Sequence, residues 1–304
     1  VYKRQPLMSV DTFIPEIWNA AIKEPYEKNL IYGQPNVASN AWMGQITGIG
    51  DTVHISRLTA PTIKDYKKGT AIEVEEVNTE ATALHIDQGK YFAFRVHDVD
   101  KVQAAGDFQG PATHSAGINL RDGADQYLAG LLKDGALAAN KLGTLQVVND
   151  DPSKAGDKQT TAFKTLVQLS EKLNAQSVPT AGRYVVVGPK TYSALLMDPR
   201  FTRVDASGND QGLRNGIVGR AVGFDVLVSN NAPSTAGREL AIAGVPDAFA
   251  FASQLVETEA LRDPSHFGDI VRGLNVYGAA VTRPEGIATA DINVVDPAGA
   301  PVAA

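Results

Sequence analysis

The chain contains no cysteine among its 304 residues, and this absence excludes disulfides, thiolate metal sites and cysteine nucleophiles. It also lacks any run of about 18 apolar residues, so no segment is expected to span a bilayer. Positive charge is not in excess, because 28 Lys and Arg residues stand against 34 Asp and Glu residues, a formal net charge of −6. That balance argues against broad electrostatic binding to nucleic acid or to an anionic membrane. The composition, 43% hydrophobic and 20% charged, is typical of a globular protein with about two domains.

Motifs that carry catalytic chemistry are also lacking. The five histidines have no metal-helix spacing, and the sequence contains neither a P-loop nor a complete dinucleotide-binding fingerprint. Thr113–Gly117 resembles a nucleophile elbow, but Thr occupies the place of the first glycine, and a helix cap is the better interpretation. We therefore expect no catalytic residues, no cofactor and no metal.

The first forty residues indicate an arm and not a packed unit. Apolar residues at spacings of three and four between Ile14 and Ile22, with Trp18 among them, predict a short amphipathic helix. Pro25 and Pro35 interrupt any longer helix. A short helix beside extended chain is expected to dock its apolar stripe either on the rest of this chain or on a neighbouring one.

A long β-hairpin is predicted to begin at Asp51. Alternation over 51–58 and 71–77 predicts its two strands, and Pro61–Gly69 between them is a polar, turn-forming segment. If fully extended, the outgoing arm would reach ~50 Å, against an expected radius of gyration of ~19 Å for the whole chain. A projecting ribbon and an ordinary edge hairpin folded onto the domain are both compatible with this pattern.

Charge is divided along this hairpin. Its tip is basic, and the strand after the tip is acidic; the residues concerned are Lys64, Tyr66, Lys67 and Lys68, then Glu73, Glu75, Glu76 and Glu80. A solvated ribbon explains the pattern. The alternative is that tip and strand meet counterparts on neighbouring copies, where complementary charge fixes register more than it adds affinity.

The rest of the chain mixes helical and β patterns, which predicts an α+β fold. A helical period runs over 113–141, and its internal glycines predict a bend or an interruption. After a linker at 150–157, helices and strands alternate as far as 245, and β patterns follow. These patterns occupy 248–257, 270–282 and 287–295, and a tail over 296–304 is predicted to be flexible.

Several short motifs carry a resemblance to a known family. In chain order they are Phe13–Trp18, Gly50–Ile55, Ile86–Phe94, Val218–Asn231 and Val281–Ile287, with the long helical segment between the third and the fourth. In this order and spacing the chain resembles the major capsid proteins of tailed bacteriophages with the Hong Kong 97-like fold. Among these it is nearest to the gene-5-type coat proteins of actinobacterial phages.

The resemblance implies a particular α+β architecture. Its expected parts are an N-terminal arm (1–40), an extended loop (51–88), a peripheral domain (41–50, 89–150 and 246–295, with a spine helix over 113–141), an axial domain (151–245) and the flexible tail (296–304). The function that it implies is a major capsid protein that self-assembles as pentamers and hexamers into an icosahedral head around double-stranded DNA. The protein would be located in the virion and assembled in the cytoplasm of the bacterial host.

The same resemblance implies the partners. The arm and the ribbon would lie on adjacent subunits, and the expected inter-subunit contacts are Trp18, Lys64, Tyr66, Lys67, Lys68, Glu73, Glu75 and Glu76. Because no long acidic helical extension precedes the arm, we expect a separate scaffolding protein or cleavage before Val1. A portal, a decoration protein and packaged DNA, bound without sequence specificity, complete the expected partners, and no membrane is expected. Some relatives cross-link a loop lysine to a neighbour, but no matching Asn/Glu signature accompanies Lys67 or Lys68, and no cross-link is expected.

Two alternatives remain open at this level. The first is the shell of an encapsulin-type protein nanocompartment, which shares the capsid fold. The second is an α/β enzyme with a site near Gly188 or Asn230–Asn231, at the ends of the predicted strands.

Overall fold

The computed structural model describes residues 31–41, 50–58, 61–69, 71, 74–76, 79–97, 109–148, 159–198 and 219–295. The predicted arm helix, with Trp18, lies outside the described residues. So do Glu73, the linker over 150–157 and the tail over 296–304.

Within this part the helices are α1 (Gln109–Gly135), α2 (Ala162–Ala175) and α3 (Pro189–Met197). The strands, in chain order, are β1 (Thr52–Leu58), β2 (Thr79–His85), β3 (Gln88–His97), β4 (Lys141–Val148), β5 (Gln159–Thr160), β6 (Tyr184–Val187), β7 (Arg220–Ala221), β8 (Phe224–Val228), β9 (Ser234–Thr235), β10 (Arg238–Gly244), β11 (Phe249–Arg262), β12 (Gly268–Val281) and β13 (Ile287–Val295). Short 3-10 turns lie at Ala138–Asn140, Pro246–Ala248 and Pro284–Gly286.

An eight-stranded mixed sheet forms one layer of the fold. Its order is β5-β4-β13-β10-β6-β8-β7, and β9 pairs with β10. All four residues of β6 are buried, as expected for a strand with covered faces in the middle of a sheet. Helix α2 packs on β13 and β4 and buries Leu166, Leu169 and Leu173, and its N-cap Thr161 accepts a hydrogen bond from the Lys164 amide at 3.2 Å.

The position of β13 departs from the predicted organisation. The sequence assigns 287–295 to the peripheral domain and 151–245 to the axial domain. In the structure β13 lies between β10, antiparallel, and β4, parallel, inside the eight-stranded sheet. Its residues alternate little in burial, because helices cover it. Strands β13 and β4 thus share one sheet with strands of the segment 151–245.

A three-stranded antiparallel sheet, β11-β12-β3, forms the second layer. Strands β11 and β12 are 14 residues each, longer than the predicted 248–257 and 270–282, and make a hairpin of ~46 Å. Helix α1 packs on β12 and β3 and also contacts β10 and β13 of the larger sheet, so the two layers share one core.

Helix α1 is the predicted spine helix with corrected ends. It runs without interruption for 27 residues, ~40 Å, and stops at Gly135, where the prediction continued it to 141. The internal Gly123 is tolerated because the side chain of Lys90 lies against it, with the Lys90 Nζ donating to its carbonyl oxygen at 3.1 Å. A side chain at position 123 would displace that lysine, so packing explains the glycine and no bend is needed.

The predicted hairpin is present as a separate two-stranded ribbon, but its return strand was misplaced. Strand β1 pairs with 79–85, with Thr52 opposite His85 and Leu58 opposite Thr79, and the described residues of 71–77 lie outside any strand. Burial selects this register, because it places Leu84 beside Val53 in the core, whereas Val74 is exposed.

The segment 31–41, which the sequence assigned to the arm, packs into the body. Ile31, Tyr32 and Val37 are buried. The Ser39 amide donates to the Phe249 carbonyl at 2.8 Å, so the segment lies beside the first residues of β11 and pairs with them by a parallel bridge.

Candidate inter-subunit surfaces

The base of the ribbon is fixed to the body by apolar packing. Val53, Leu84 and Ile86 form a small cluster with Ala252 of β11 and Val276 of β12. Gly278 lies in β12 where the backbone of the ribbon crosses it, and a Cβ at this position would collide with the His85 carbonyl group. Only glycine allows this approach, so the ribbon leaves the body from one defined face of β12.

An ion pair also orients the ribbon. The guanidinium of Arg57 lies 3.5 Å from the Glu80 carboxylate, on the facing strand, and 3.0 Å from the carboxylate of Glu285. Glu285 belongs to the 3-10 turn that leads from β12 into β13. Arg57 therefore connects the ribbon to the junction between the two sheets.

The far end of the ribbon, residues 61–69, 71 and 74–76, is exposed throughout. Ile63 is 97% exposed, Val74 91% and Tyr66 76%. A folded monomer rarely leaves several large apolar side chains uncovered on one thin element, and such exposure marks an interaction surface.

The predicted contact residues divide between the two sides of this far end. Lys64, Tyr66, Lys67 and Lys68 lie on 61–69, and Glu75 and Glu76 lie on the returning segment; all are exposed. The Glu75 carboxylate accepts a hydrogen bond from the Thr62 amide at 3.0 Å, which ties the acidic side to the basic side. The role of these residues as inter-subunit contacts stays a prediction.

Sequence reasoning missed a second exposed surface, which we call the open face. It is the part of the three-stranded sheet beyond the ribbon base, on the same side. Tyr91 lies opposite Leu274 there, and Leu261 lies opposite Ile270; Tyr91, Leu274 and Leu261 are exposed. The alternation around Tyr91 predicted a strand, but the open face exists only after three distant strands have paired.

Two ion pairs of described residues lie on the open face. The Arg272 Nε donates to the Glu259 carboxylate at 2.8 Å across the β11-β12 pair. The Arg95 Nε lies 2.6 Å from the carboxylate of Asp263. The surface therefore offers apolar side chains between satisfied ion pairs, with no excess of either sign among these four charges.

The turn between β11 and β12 is held by Asp263. Its carboxylate accepts a hydrogen bond from the Ser265 amide at 2.8 Å, and this bond, with the nearby charges of Arg95 and His266, lowers the pKa of Asp263 below its usual value. The ordered turn presents Phe267, which is 81% exposed.

The positions proposed for an enzyme site have structural partners. Gly188 lies against the carboxylate of Glu239, which accepts hydrogen bonds from the Lys190 and Thr191 amides at 3.1 and 2.9 Å and so caps α3. The Asn231 side chain donates to two carboxylates of α1. Among the described residues no cluster of three or more potential metal-ligating side chains occurs, and none of the described helices is long and apolar enough to cross a membrane.

Comparisons with known proteins identify this arrangement. A family model described as phage capsid protein matches residues 58–290. A structure from Mycobacterium phage Che8 is 31% identical, with 96% of this chain and 100% of that chain covered and a TM-score of 0.74. The capsid of cyanophage P-SCSP1u (14% identity, 94% of each chain, TM-score 0.71) and the mature capsid of bacteriophage PhiM1 (16%, 91% of each chain, 0.67) share the fold. No curated protein matches the chain.

The two layers, the spine helix and the projecting ribbon are those of the Hong Kong 97-like capsid fold, as predicted. The chain belongs to the phage capsid protein family. It is a structural protein, a major capsid protein of a tailed phage, which self-assembles into capsomers of the virion shell. The predictions of family, fold class and function are confirmed, and the nanocompartment and enzyme alternatives are not favoured.

Proposed function

We propose that this chain assembles as pentamers and hexamers into an icosahedral head that encloses double-stranded DNA. The observation that carries this proposal is the uncovered ribbon end, with Ile63, Tyr66 and Val74 exposed. An isolated two-stranded ribbon is only marginally stable in water unless another surface packs on it. A neighbouring subunit supplies that surface at every equivalent position of a closed shell.

The open face of the adjacent subunit is the surface we assign to the ribbon end. Tyr91, Leu274 and Leu261 are exposed beside two ion pairs, Arg95–Asp263 and Arg272–Glu259, so an apolar partner covers them next to charges that are already paired. Burying one large apolar side chain contributes ~1.5–3 kcal/mol before association costs. A few such side chains per contact, repeated around the shell, provide a sufficient driving force for closure.

Charge sets the register of the same contact. Lys64, Lys67 and Lys68 lie on one side of the ribbon end, with Glu75 and Glu76 on the other, all exposed. Rim charges of this kind select orientation and raise association rates more than they add affinity. Trp18 and Glu73 belong to the same proposed set of contacts.

The proposal extends to the other components of the head. Assembly takes place in the cytoplasm of the bacterial host with a separate scaffolding protein, a portal and a decoration protein. The net charge of −6 supports only weak contact with packaged DNA, independent of its sequence.

The domain organisation follows as a proposal with revised boundaries. The extended loop (51–88) keeps its limits, whereas residues 31–40 of the predicted arm (1–40) belong to the body, where Ile31, Tyr32 and Val37 are buried. The peripheral domain consists of α1 and the three-stranded sheet, and the axial domain is the eight-stranded sheet, with β4 and β13 included.

Deletion of Pro61–Gly69 tests the role of the ribbon. The deleted residues are exposed, so the subunit is expected to fold with unchanged circular dichroism and to form no closed shells in electron micrographs. The matched point variants are Ile63→Ser with Tyr66→Ser, and, as a control, Val167→Ser with Met197→Ser, two exposed apolar residues outside the ribbon. Closed shells of normal size from the deletion variant would contradict the proposal.

A further inference from the structure

A buried carboxylate in the middle of α1 holds the segment that leads into the arm. Asp125 is only 2% exposed. Its Oδ1 accepts hydrogen bonds from the backbone amides of Ile31 at 3.1 Å and Tyr32 at 2.7 Å. These amides are more than ninety residues away along the chain, so one side chain fixes where 31–41 joins the body.

The other oxygen of this carboxylate binds a different part of the fold. Asp125 Oδ2 accepts a hydrogen bond from the Asn231 side chain at 3.1 Å, and the same Asn231 Nδ2 donates to Asp122 at 2.7 Å. Asn231 follows β8, and its backbone N–H donates to the buried Ser229 hydroxyl group at 3.1 Å. The Ser229 amide in turn bonds the Val187 carbonyl at the end of β6 at 3.0 Å. The loop is therefore placed by the eight-stranded sheet.

This set, Asp125, Asp122, Asn231 and the amides of Ile31 and Tyr32, is called the Asp125 junction below. Among the described residues the groups that stabilise the charge of Asp125 are hydrogen-bond donors, and no cationic side chain acts on it. Burial raises the pKa of Asp125 above its usual value, although the Asn231 side chain and the backbone amides of 31–33 act in the opposite direction by donating hydrogen bonds. The donors are therefore interdependent, because each one that leaves increases the cost of burying the charge for the others.

We propose that the Asp125 junction couples the arm to the axial sheet. The amides of Ile31 and Tyr32, called the arm base below, stay bonded to α1 while Asn231 is in place, and a shift of the loop after β8 loosens them. The coupling is reciprocal, so a neighbour that pulls on the arm also loosens the loop. This inference concerns a single subunit and holds whether or not the ribbon makes the contacts proposed above.

Hydrogen exchange of the full-length, unassembled subunit tests the coupling. Asn231 contacts neither Ile31 nor Tyr32 through the bonds described, yet Asn231→Ala is expected to speed exchange of those two amides about tenfold, the effect of losing one bond to a charged group. Asp122→Asn, which leaves the contact between Asn231 and Asp125, is expected to give a smaller increase. The amides of Val185 and Val186 in the core of the sheet serve as the reference and remain slow, because the opening is local.

Asn140→Ala is the matched control. Asn140 is also a buried asparagine whose Nδ2 donates two hydrogen bonds, to the carbonyl groups of Glu285 and Ile287 at 2.9 and 3.1 Å, and it lies outside the junction. It is expected to leave the arm-base amides unchanged. Equal acceleration by Asn140→Ala, or none by Asn231→Ala, would overturn the proposal. If Asn231→Ala does not fold, Asn231→Ser, a smaller change that also removes the side-chain amide donor, decides the question by the same comparison with Asn140→Ala.

Discussion

At the scale of single residues, two buried carboxylates of this capsid subunit each accept hydrogen bonds from the backbone of a distant segment. Asp125 accepts amides from the arm base, and Glu239 accepts amides at the start of α3. Both are surrounded by hydrogen-bond donors. Their ionisation and removal therefore have predictable consequences.

Acidification is expected to tighten the Asp125 junction. In the opened state, in which Ile31 and Tyr32 have left Asp125, the carboxyl is exposed to water and has its ordinary pKa. In the closed state burial raises that pKa. Stability from this group is therefore complete below the ordinary pKa and is lost as pH rises through the raised one. The other titratable groups beside it are Asp122 on the same helix, which shares the Asn231 donor, and Tyr32 of the segment 31–41; burial raises the pKa of Tyr32, so Tyr32 stays neutral.

The measurement is the opening free energy at the Ile31 and Tyr32 amides, from exchange corrected for intrinsic rates between about pH 7 and about pH 4.5. We expect it to increase as pH falls, and Asp125→Asn to flatten the profile. A decrease with acidification would show that the donors outweigh desolvation.

Removal of Glu239 is expected to destabilise the axial sheet and α3 together. Its carboxylate accepts the Lys190 and Thr191 amides and the Thr191 hydroxyl group, at 3.1, 2.9 and 2.9 Å. Glu239→Ala leaves these donors without their acceptor and should lower the free energy of unfolding by ~3 kcal/mol, and Glu239→Gln by about 1 kcal/mol. Denaturant unfolding measures both, with the exposed Glu171→Gln on α2 as the control. Equal stability of all three variants would contradict the capping role.

At the scale of elements, the ribbon is attached by apolar packing, and its ion pair only adjusts it. Arg57 and Glu285 are each more than a third exposed, and exposed pairs contribute ~0.2–1 kcal/mol. We expect Arg57→Ala to lower the free energy of unfolding by less than about 1 kcal/mol, with a coupling to Glu285→Gln of about 0.5 kcal/mol in a double-mutant cycle. A coupling above about 2 kcal/mol would mean that the pair, and not the cluster around Leu84, holds the ribbon.

Elements with a strong local pattern could be predicted from the sequence, and their pairing could not. Strand β13 begins and ends where the β pattern placed it, at 287–295. The return strand of the ribbon was misplaced because 71–77 alternates as well as 79–85, and only the packing of Leu84 and Ile86 against β11 and β12 decides between them. From the sequence, Gly123 predicts an interruption of the helix, because the packing of the distant Lys90 side chain against it has no local signal.

The candidate surfaces show the same division. The basic tip with Lys64, Lys67 and Lys68 could be predicted to be exposed, because charge along one segment is a local property. The open face could not, since Tyr91 and Leu274 become neighbours only through pairing across more than 180 residues. The Asp125 junction carries no local signal, because an aspartate in a helix pattern reads as a surface residue.

At the scale of the whole molecule, the last described strand in the sequence lies in the interior of the larger sheet, and this affects how the chain folds during synthesis. Strand β13, at the end of the described chain, fills the gap between β10 and β4. During translation the axial sheet therefore stays split until residues 287–295 have emerged from the ribosome. A chain that ends before residue 287 leaves the facing edges of β10 and β4 unpaired and exposes the part of α2 that packs on β13. Unpaired strand edges and exposed apolar surface favour aggregation, which chaperones counteract. Completion of the axial sheet therefore depends on the strand that the ribosome adds after all the other described strands.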